Sequence, residues 1–119
     1  MREDGDLLLR AVVRNLETGV ENTLKHPKQF VLKPNYPNPF NSSTTLSFEL
    51  LQRGFYVLDI FDVQGTLVQS WPFSDMPAGP YSVVWDGRKS TGEPAHSGIY
   101  VVRLSGQHQQ ASRRIVLVK

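Results

Sequence analysis

The 119-residue chain contains no cysteine. That excludes disulfides, thiolate metal ligands and a cysteine nucleophile, and it leaves the redox compartment open. No apolar stretch approaches the length needed to span a bilayer. The charged start, Met1-Arg2-Glu3-Asp4-Gly5-Asp6, leads into an apolar run too short for a signal peptide, with no small-residue cleavage site. If the parent protein is exported, its leader is expected outside this chain. Lysine and arginine number 13 against 11 acids, a formal net charge of +2, with no long basic run. A nucleic-acid or anionic-membrane partner gains no support from that balance.

Catalytic signatures are equally scarce. His26, His96 and His108 fall in a linker and two predicted loops, without metal-site spacing and without a carboxylate at i+3 or i+4 on a common element. There is no Gly-x-Ser-x-Gly elbow and no glycine-rich phosphate loop before a helix. Ser97 beside His96 makes a poor pair, because adjacent strand residues point to opposite faces. Asp62 and Asp86 are the carboxylates a Ca²⁺ site would draw on, but clustered oxygen ligands at short spacing are missing. The expectation is a non-enzyme with no catalytic residue, metal or cofactor.

What is present is β-sheet pattern. At 39% hydrophobic and 20% charged, the chain can build a core and is no disordered tail. Seven short β-rich runs are predicted: 30–33, 44–50, 55–61, 66–73, 81–85, 99–104 and 112–118. Gly54, Gly65, Gly79-Pro80, Asp86-Gly87, Gly92 and Gly106 punctuate them. Leu46, Phe48 and Leu50 share one face of their run, with Ser47 and Glu49 opposite. Tyr56, Leu58 and Ile60 do the same against Asp59. With no amphipathic helical period, this predicts an all-β, immunoglobulin-like antiparallel sandwich of about seven strands over residues 30–119. Residues 1–29 read as the remnant of an upstream domain, or a docking strand, followed by a linker. The apolar part of residues 7–18 fits a strand running into a turn at Gly19, or a short helix.

Four local readings follow. Asp62-Val63-Gln64-Gly65 suits a type I turn closed by a glycine at positive φ, and Gly106 is expected to close the last hairpin the same way. Asn35-Tyr36-Pro37-Asn38-Pro39-Phe40-Asn41 holds two prolines two residues apart, which remove donors and fix φ. It reads as a proline-rich ligand or as an edge strap anchored by Tyr36 and Phe40. The strap is favoured because it opens directly into a core strand. Trp85-Asp86-Gly87-Arg88 reads as a buried aromatic leading into an Asx-stabilised turn. Ser97-Gly98-Ile99-Tyr100-Val101-Val102 matches the start of strand F in immunoglobulin sandwiches, where a tyrosine hydroxyl folds back onto upstream backbone; Val102 holds the cysteine position.

These segments occur in one order with Val57–Gly65, Ala78-Gly79 and Ile115-Val116-Leu117-Val118-Lys119. Together they resemble the C-terminal sorting domain of type IX secretion substrates in Bacteroidetes-like bacteria. The resemblance covers about residues 30–119 and ends on the family's usual terminal lysine; Ser42 stands where proline is common. It implies a sorting signal that directs an exported cargo through the outer membrane to the cell surface. The implied partners are the outer-membrane translocon and a surface sortase, with a covalently linked upstream cargo. It implies a recognised face of Gly98, Tyr100 and Arg103 with Arg113, Arg114, Ile115, Val116, Leu117, Val118 and Lys119. Nothing before residue 30 resembles a cargo, so the chain reads as an excised C-terminal fragment of a secreted or surface protein.

The immunoglobulin-like domain of the flagellar hook-capping protein is similar through the Asp-Gly-Arg and Ser-Gly-Ile-Tyr region. The alternative function is a carbohydrate- or protein-binding module, with Trp71, Phe73, Tyr81 and Trp85 as a candidate aromatic stripe unless they pack as core. Exposed outer strands also allow a weak homodimer.

Overall fold

The computed structural model describes residues 27–119, and the expectations for residues 1–26, including the strand or helix within 7–18 and His26, lie outside them. Seven strands form: β1 (Phe30–Leu32), β2 (Thr44–Leu50), β3 (Gly54–Asp62), β4 (Leu67–Met76), β5 (Gly79–Trp85), β6 (Gly98–Ser105) and β7 (Gln110–Leu117). They make two antiparallel sheets, one of order β1-β2-β5 and one of order β4-β3-β6-β7. The immunoglobulin-like sandwich read from the sequence is the architecture found.

Alternation decides which side chains meet. On β2, Thr44, Leu46, Phe48 and Leu50 are buried while the intervening residues are not. On β3, Tyr56, Leu58 and Ile60 point inward. Phe30, Trp85, Val102, Leu104, Ile115 and Leu117 complete the layer between the sheets. Burying each such side chain stabilises the fold by roughly 1.5–3 kcal/mol relative to exposure.

One device starts three strands. β3, β5 and β6 each open on a glycine followed two residues later by a tyrosine: Gly54 and Tyr56, Gly79 and Tyr81, Gly98 and Tyr100. In each case the hydroxyl donates to the carbonyl four residues back. Tyr56 reaches Gln52 at 2.6 Å, Tyr81 reaches Pro77 at 2.8 Å, and Tyr100 reaches His96 at 2.6 Å. The bond ties the strand to the turn that feeds it and satisfies a phenol whose ring lies against the core. Gly79 (φ 149°) and Gly98 (φ 155°) hold backbone conformations that a side chain strains. The sequence points to the corner at Tyr100 alone; the Gly-x-Tyr repeat shows that the same bond recurs on both sheets.

The β3–β4 turn also forms as read. Gly65 (φ 86°) donates to the Asp62 carbonyl, and the Asp62 carboxylate accepts from the amides of Gln64 and Thr66. β4 runs further than expected, to Met76. Arg53 holds its end through a two-pronged pair with Asp75, Nε–Oδ1 2.8 Å and Nη2–Oδ2 3.1 Å. Pro72 sits in β4 because that strand lies at an edge, where a missing donor breaks no ladder.

Gly106 differs from the expectation. It does not take positive φ; it is needed because there is no room. An added Cβ would lie 2.8 Å from Gln29 Oε1 and 3.0 Å from the Tyr56 ring. Gln29 Oε1 itself accepts from the His108 amide at 2.8 Å, so moving it away breaks a bond. Gly106→Ala is therefore expected to destabilise the chain by about 1–3 kcal/mol. Urea unfolding measures this, and the loss shrinks in a Gln29→Ala background. An unchanged midpoint contradicts the packing argument.

Candidate recognition face

Pairing of β6 with β7 sets the last strand's geometry. Gly98 faces Leu117, Ile99 faces Val116, Tyr100 faces Ile115, Val101 faces Arg114, and Arg103 faces Ser112. The ten residues of the expected face therefore divide between two sides of one sheet. Tyr100, Ile115 and Leu117 are buried in the core. Burial raises the Tyr100 hydroxyl above its ordinary pKa, with the nearby Asp62 charge adding to the effect. Arg103, Arg114 and Val116 point outward, while Gly98, Val118 and Lys119 are exposed at the strand ends. Arg113 lies on the inward register but at the sheet's margin, so its guanidinium leaves the core sideways. Its Nε donates to the Leu32 carbonyl of β1 at 3.0 Å. Alternation at period two permits no other arrangement.

Arg103 has an unusual setting on the outward face. Its guanidinium carbon stands 4.5 Å from the Phe61 ring centroid, a cation–π contact. Nη2 lies 3.9 Å from Asp59 Oδ2, while Asp59 Oδ1 accepts from the Ser70 hydroxyl at 2.6 Å. Arg103 Nε is buried with no hydrogen-bond partner. The guanidinium thus covers Phe61 and neutralises Asp59.

The strap crosses between the two sheets. At one end Tyr36 bridges Thr45 of β2, its amide donating to the Thr45 carbonyl (3.1 Å) and its carbonyl accepting from the Thr45 amide (2.9 Å). At the other end Phe40 runs parallel to β7: the Phe40 amide donates to the Val116 carbonyl, and the Val118 amide donates to the Phe40 carbonyl, both at 2.9 Å. Between them Asn38 acts as a surrogate strand. Its Oδ1 accepts from the Val116 amide at 3.0 Å, and its Nδ2 donates to the Arg114 carbonyl at 3.4 Å. The Asn35 Nδ2 and Thr44 hydroxyl close the bend, both donating to the Pro37 carbonyl. The Tyr36–Pro37 and Asn38–Pro39 peptide bonds are both cis.

Phe40 is the anchor, 2% exposed and 5.5 Å from Trp85 between ring centroids. Tyr36, expected to share that role, is 80% exposed, because its backbone rather than its ring does the pairing. Trp85 takes the position read from the sequence: buried, its Nε1 donating to the Arg88 carbonyl at 2.8 Å, with Asp86 Oδ1 accepting from the Arg88 amide. It cannot join a surface stripe. Trp71, Phe73 and Tyr81 are partly buried and packed against the core, and Phe48 stacks on Tyr81.

The other polar candidates are committed to backbone. Ser97 Oγ accepts from the Lys119 amide at 2.9 Å, and the His96 carbonyl receives the Tyr100 hydroxyl. Asp62 and Asp86 each cap their own turn, and among the described residues no three His, Asp or Glu side chains gather into a metal-binding group. No described helix is long and apolar enough to cross a membrane.

The fold and its corner tyrosine define an immunoglobulin-like β-sandwich without the disulfide. A family model described as the FlgD Ig-like domain matches residues 38–110, more than half of the chain. The chain belongs to that family. No curated protein matches it. Among solved structures it is similar to dimeric latent PorU from Porphyromonas gingivalis, with 24% identity and a TM-score of 0.61 over 75% of this chain and 9% of that one. It is similar to PorZ of the same organism, described as an essential bacterial surface component of the type-IX secretion system. That match has 23% identity and a TM-score of 0.54 over 86% of this chain and 13% of PorZ. FlgD from Xanthomonas campestris, a hook-capping protein, matches at 21% identity and a TM-score of 0.51 over 74% of this chain and 64% of that one. The chain spans less than two thirds of each of these proteins, and identities this low carry the fold alone.

The strap geometry separates two neighbouring aromatics. Phe40→Ala is expected to cost about 3–5 kcal/mol, a buried ring lost to a cavity. Tyr36→Ala stays within about 0.5 kcal/mol. Chemical denaturation of the two variants checks the contrast, and equal losses contradict the assignment of the anchor.

Proposed function

We propose that this domain is a non-catalytic C-terminal sorting signal, which addresses an attached cargo to the outer-membrane translocon of a type IX secretion system and so to the cell surface. The observation that supports it most is the joint arrangement of strap, tyrosine corner and terminal strand. The sorting-domain motifs at Asn35–Asn41, Gly98–Tyr100 and Ile115–Lys119 lie far apart in sequence yet converge on one corner of the sandwich. A set of motifs that merely stabilised separate turns has no reason to converge there. Similarity to PorU and PorZ, the latter described as a type-IX surface component, agrees with this reading. On it, the translocon and a surface sortase are the partners, and the mature location is extracellular or surface-bound.

A second reading is a protein-binding module of the hook-cap kind, favoured by the family match over residues 38–110. A carbohydrate-binding stripe has less support, since Trp85 is buried and Trp71, Phe73 and Tyr81 lean on the core.

Appending the full 119-residue chain to a leader-bearing reporter separates the two readings. In a bacterium with a type IX system the tagged reporter is expected at the surface or in the medium, and in the periplasm when the translocon is deleted. Deleting Arg113–Lys119 is a poor substitute, because it also strips Ile115 and Leu117 from the core. Periplasmic retention of the tagged reporter in the intact strain refutes the sorting reading.

A further inference from the structure

β7 cannot be read as an open edge. The strap and the Asn38 side chain occupy the outward-pointing backbone groups of Arg114, Val116 and Val118. Further along, Arg113 reaches across to β1, and Gln109 Oε1 accepts from the amides of Gln29 and Phe30. Of the other three outer strands, β4 and β5 carry Pro72 and Pro80 and β4 is also bulged, while β1 is only three residues long and its Leu32 carbonyl accepts from Arg113. Proline and bulges are the ordinary protection of an edge against strand addition.

What remains open is a face. On the outward side of the four-stranded sheet, at the strap end, Leu67, Phe61, Val101, Ile99 and Val116 adjoin one another across β4, β3, β6 and β7. Leu67 is 53% exposed and Ile99 42%, and Val118, just past the end of β7, is 50% exposed. A contiguous apolar surface of this kind is uncommon on a domain with nothing to bind. Its charge is one-sided. Asp59, the carboxylate on the face, is taken by Arg103 and Ser70, whereas Arg114 is exposed opposite Val101 and, among the described residues, meets no carboxylate. β-branched side chains (Ile99, Val101, Val116 and Val118) predominate on this sheet face, and Phe61 is covered by the Arg103 guanidinium. A sheet face of this composition suits sheet-on-sheet packing, whereas interfacial membrane attachment favours an amphipathic helix with a basic polar side.

We propose that this face docks a folded protein whose contact surface is apolar at its centre and carries carboxylates where it meets β7. The inference rests on the sorting reading and gives it a surface: the terminal strand is recognised through Arg114 and Val116 as part of a sheet face, not through its backbone edge.

The full-chain reporter fusion tests this with three variants. Ile99→Thr/Val101→Thr/Val116→Thr keeps β-branched residues while removing apolar contact. Arg114→Glu reverses the exposed β7 charge, and Arg114→Lys preserves its sign. Export is expected to fall at least about tenfold in the triple variant and in Arg114→Glu, and to persist in Arg114→Lys. Urea unfolding of each purified chain checks its fold; if the triple variant does not fold, Arg114→Glu, at an exposed site, supplies the readout. Undiminished export of folded variants overturns the docking face and leaves the sorting reading standing. Retention of the wild-type fusion overturns both. Co-sedimentation of the wild-type chain with phosphatidylcholine–phosphatidylglycerol vesicles, abolished by Arg114→Glu, overturns the protein partner in favour of a lipid surface.

Discussion

The last strand of a sheet has one neighbour and one row of unpaired backbone groups, and this domain is arranged around disposing of that row. β7 pairs with β6 on one side. On the other it is met by the strap, which supplies backbone at Phe40 and a side-chain amide at Asn38. Because the strap also pairs with β2 through Tyr36, the same segment that closes the edge ties the two sheets together. Phe40 then drives its ring under Trp85, so edge closure and core packing depend on one residue. Leaving buried or half-buried amides without partners is costly, and none of this arrangement needs a disulfide.

The tyrosine corners solve the complementary problem at the strand starts. Three strands enter the sandwich through a glycine, a variable residue and a tyrosine whose hydroxyl returns to the preceding turn. Phenols at these places fill the core and satisfy a carbonyl at once, which a phenylalanine cannot do. The fourth tyrosine, Tyr36, has no such role and stands in solvent. The same residue type therefore serves opposite ends, decided by whether a Gly-x-Tyr entry precedes a strand.

Much of the fold was legible in the sequence because alternation is a local property. Leu46, Phe48 and Leu50, and likewise Tyr56, Leu58 and Ile60, declare their face without reference to the rest of the chain. The Asp62–Gly65 turn and the Trp85–Arg88 turn were legible for the same reason, since their bonds close within a few residues. What was not legible is what depends on distant partners. Gly106 is fixed by Gln29, far away in sequence, and β4 extends to Met76 because it pairs there with Gly54 of β3, next to the Arg53–Asp75 contact. The Gly-x-Tyr repeat is present in the sequence, but its three copies sit in dissimilar surroundings, so the shared hydroxyl-to-carbonyl bond emerges only from the fold. The expected recognition residues join Gly98, Tyr100 and Arg103 to the run Arg113–Lys119; within that run the sheet separates core-facing Ile115 and Leu117 from outward Arg114 and Val116. Sequence order alone cannot say which of them another molecule can touch.

The strap's closure of the β7 edge holds the fold together, and amide hydrogen exchange reads it directly. The Val116 and Val118 amides point away from β6 and have only Asn38 and Phe40 as partners. The account predicts that they exchange as slowly as the Ile115 and Leu117 amides on the paired side. It further predicts that Asn38→Ala releases Val116 selectively. Exchange of Val116 and Val118 at the rate of a bare strand edge in the wild-type chain would contradict it.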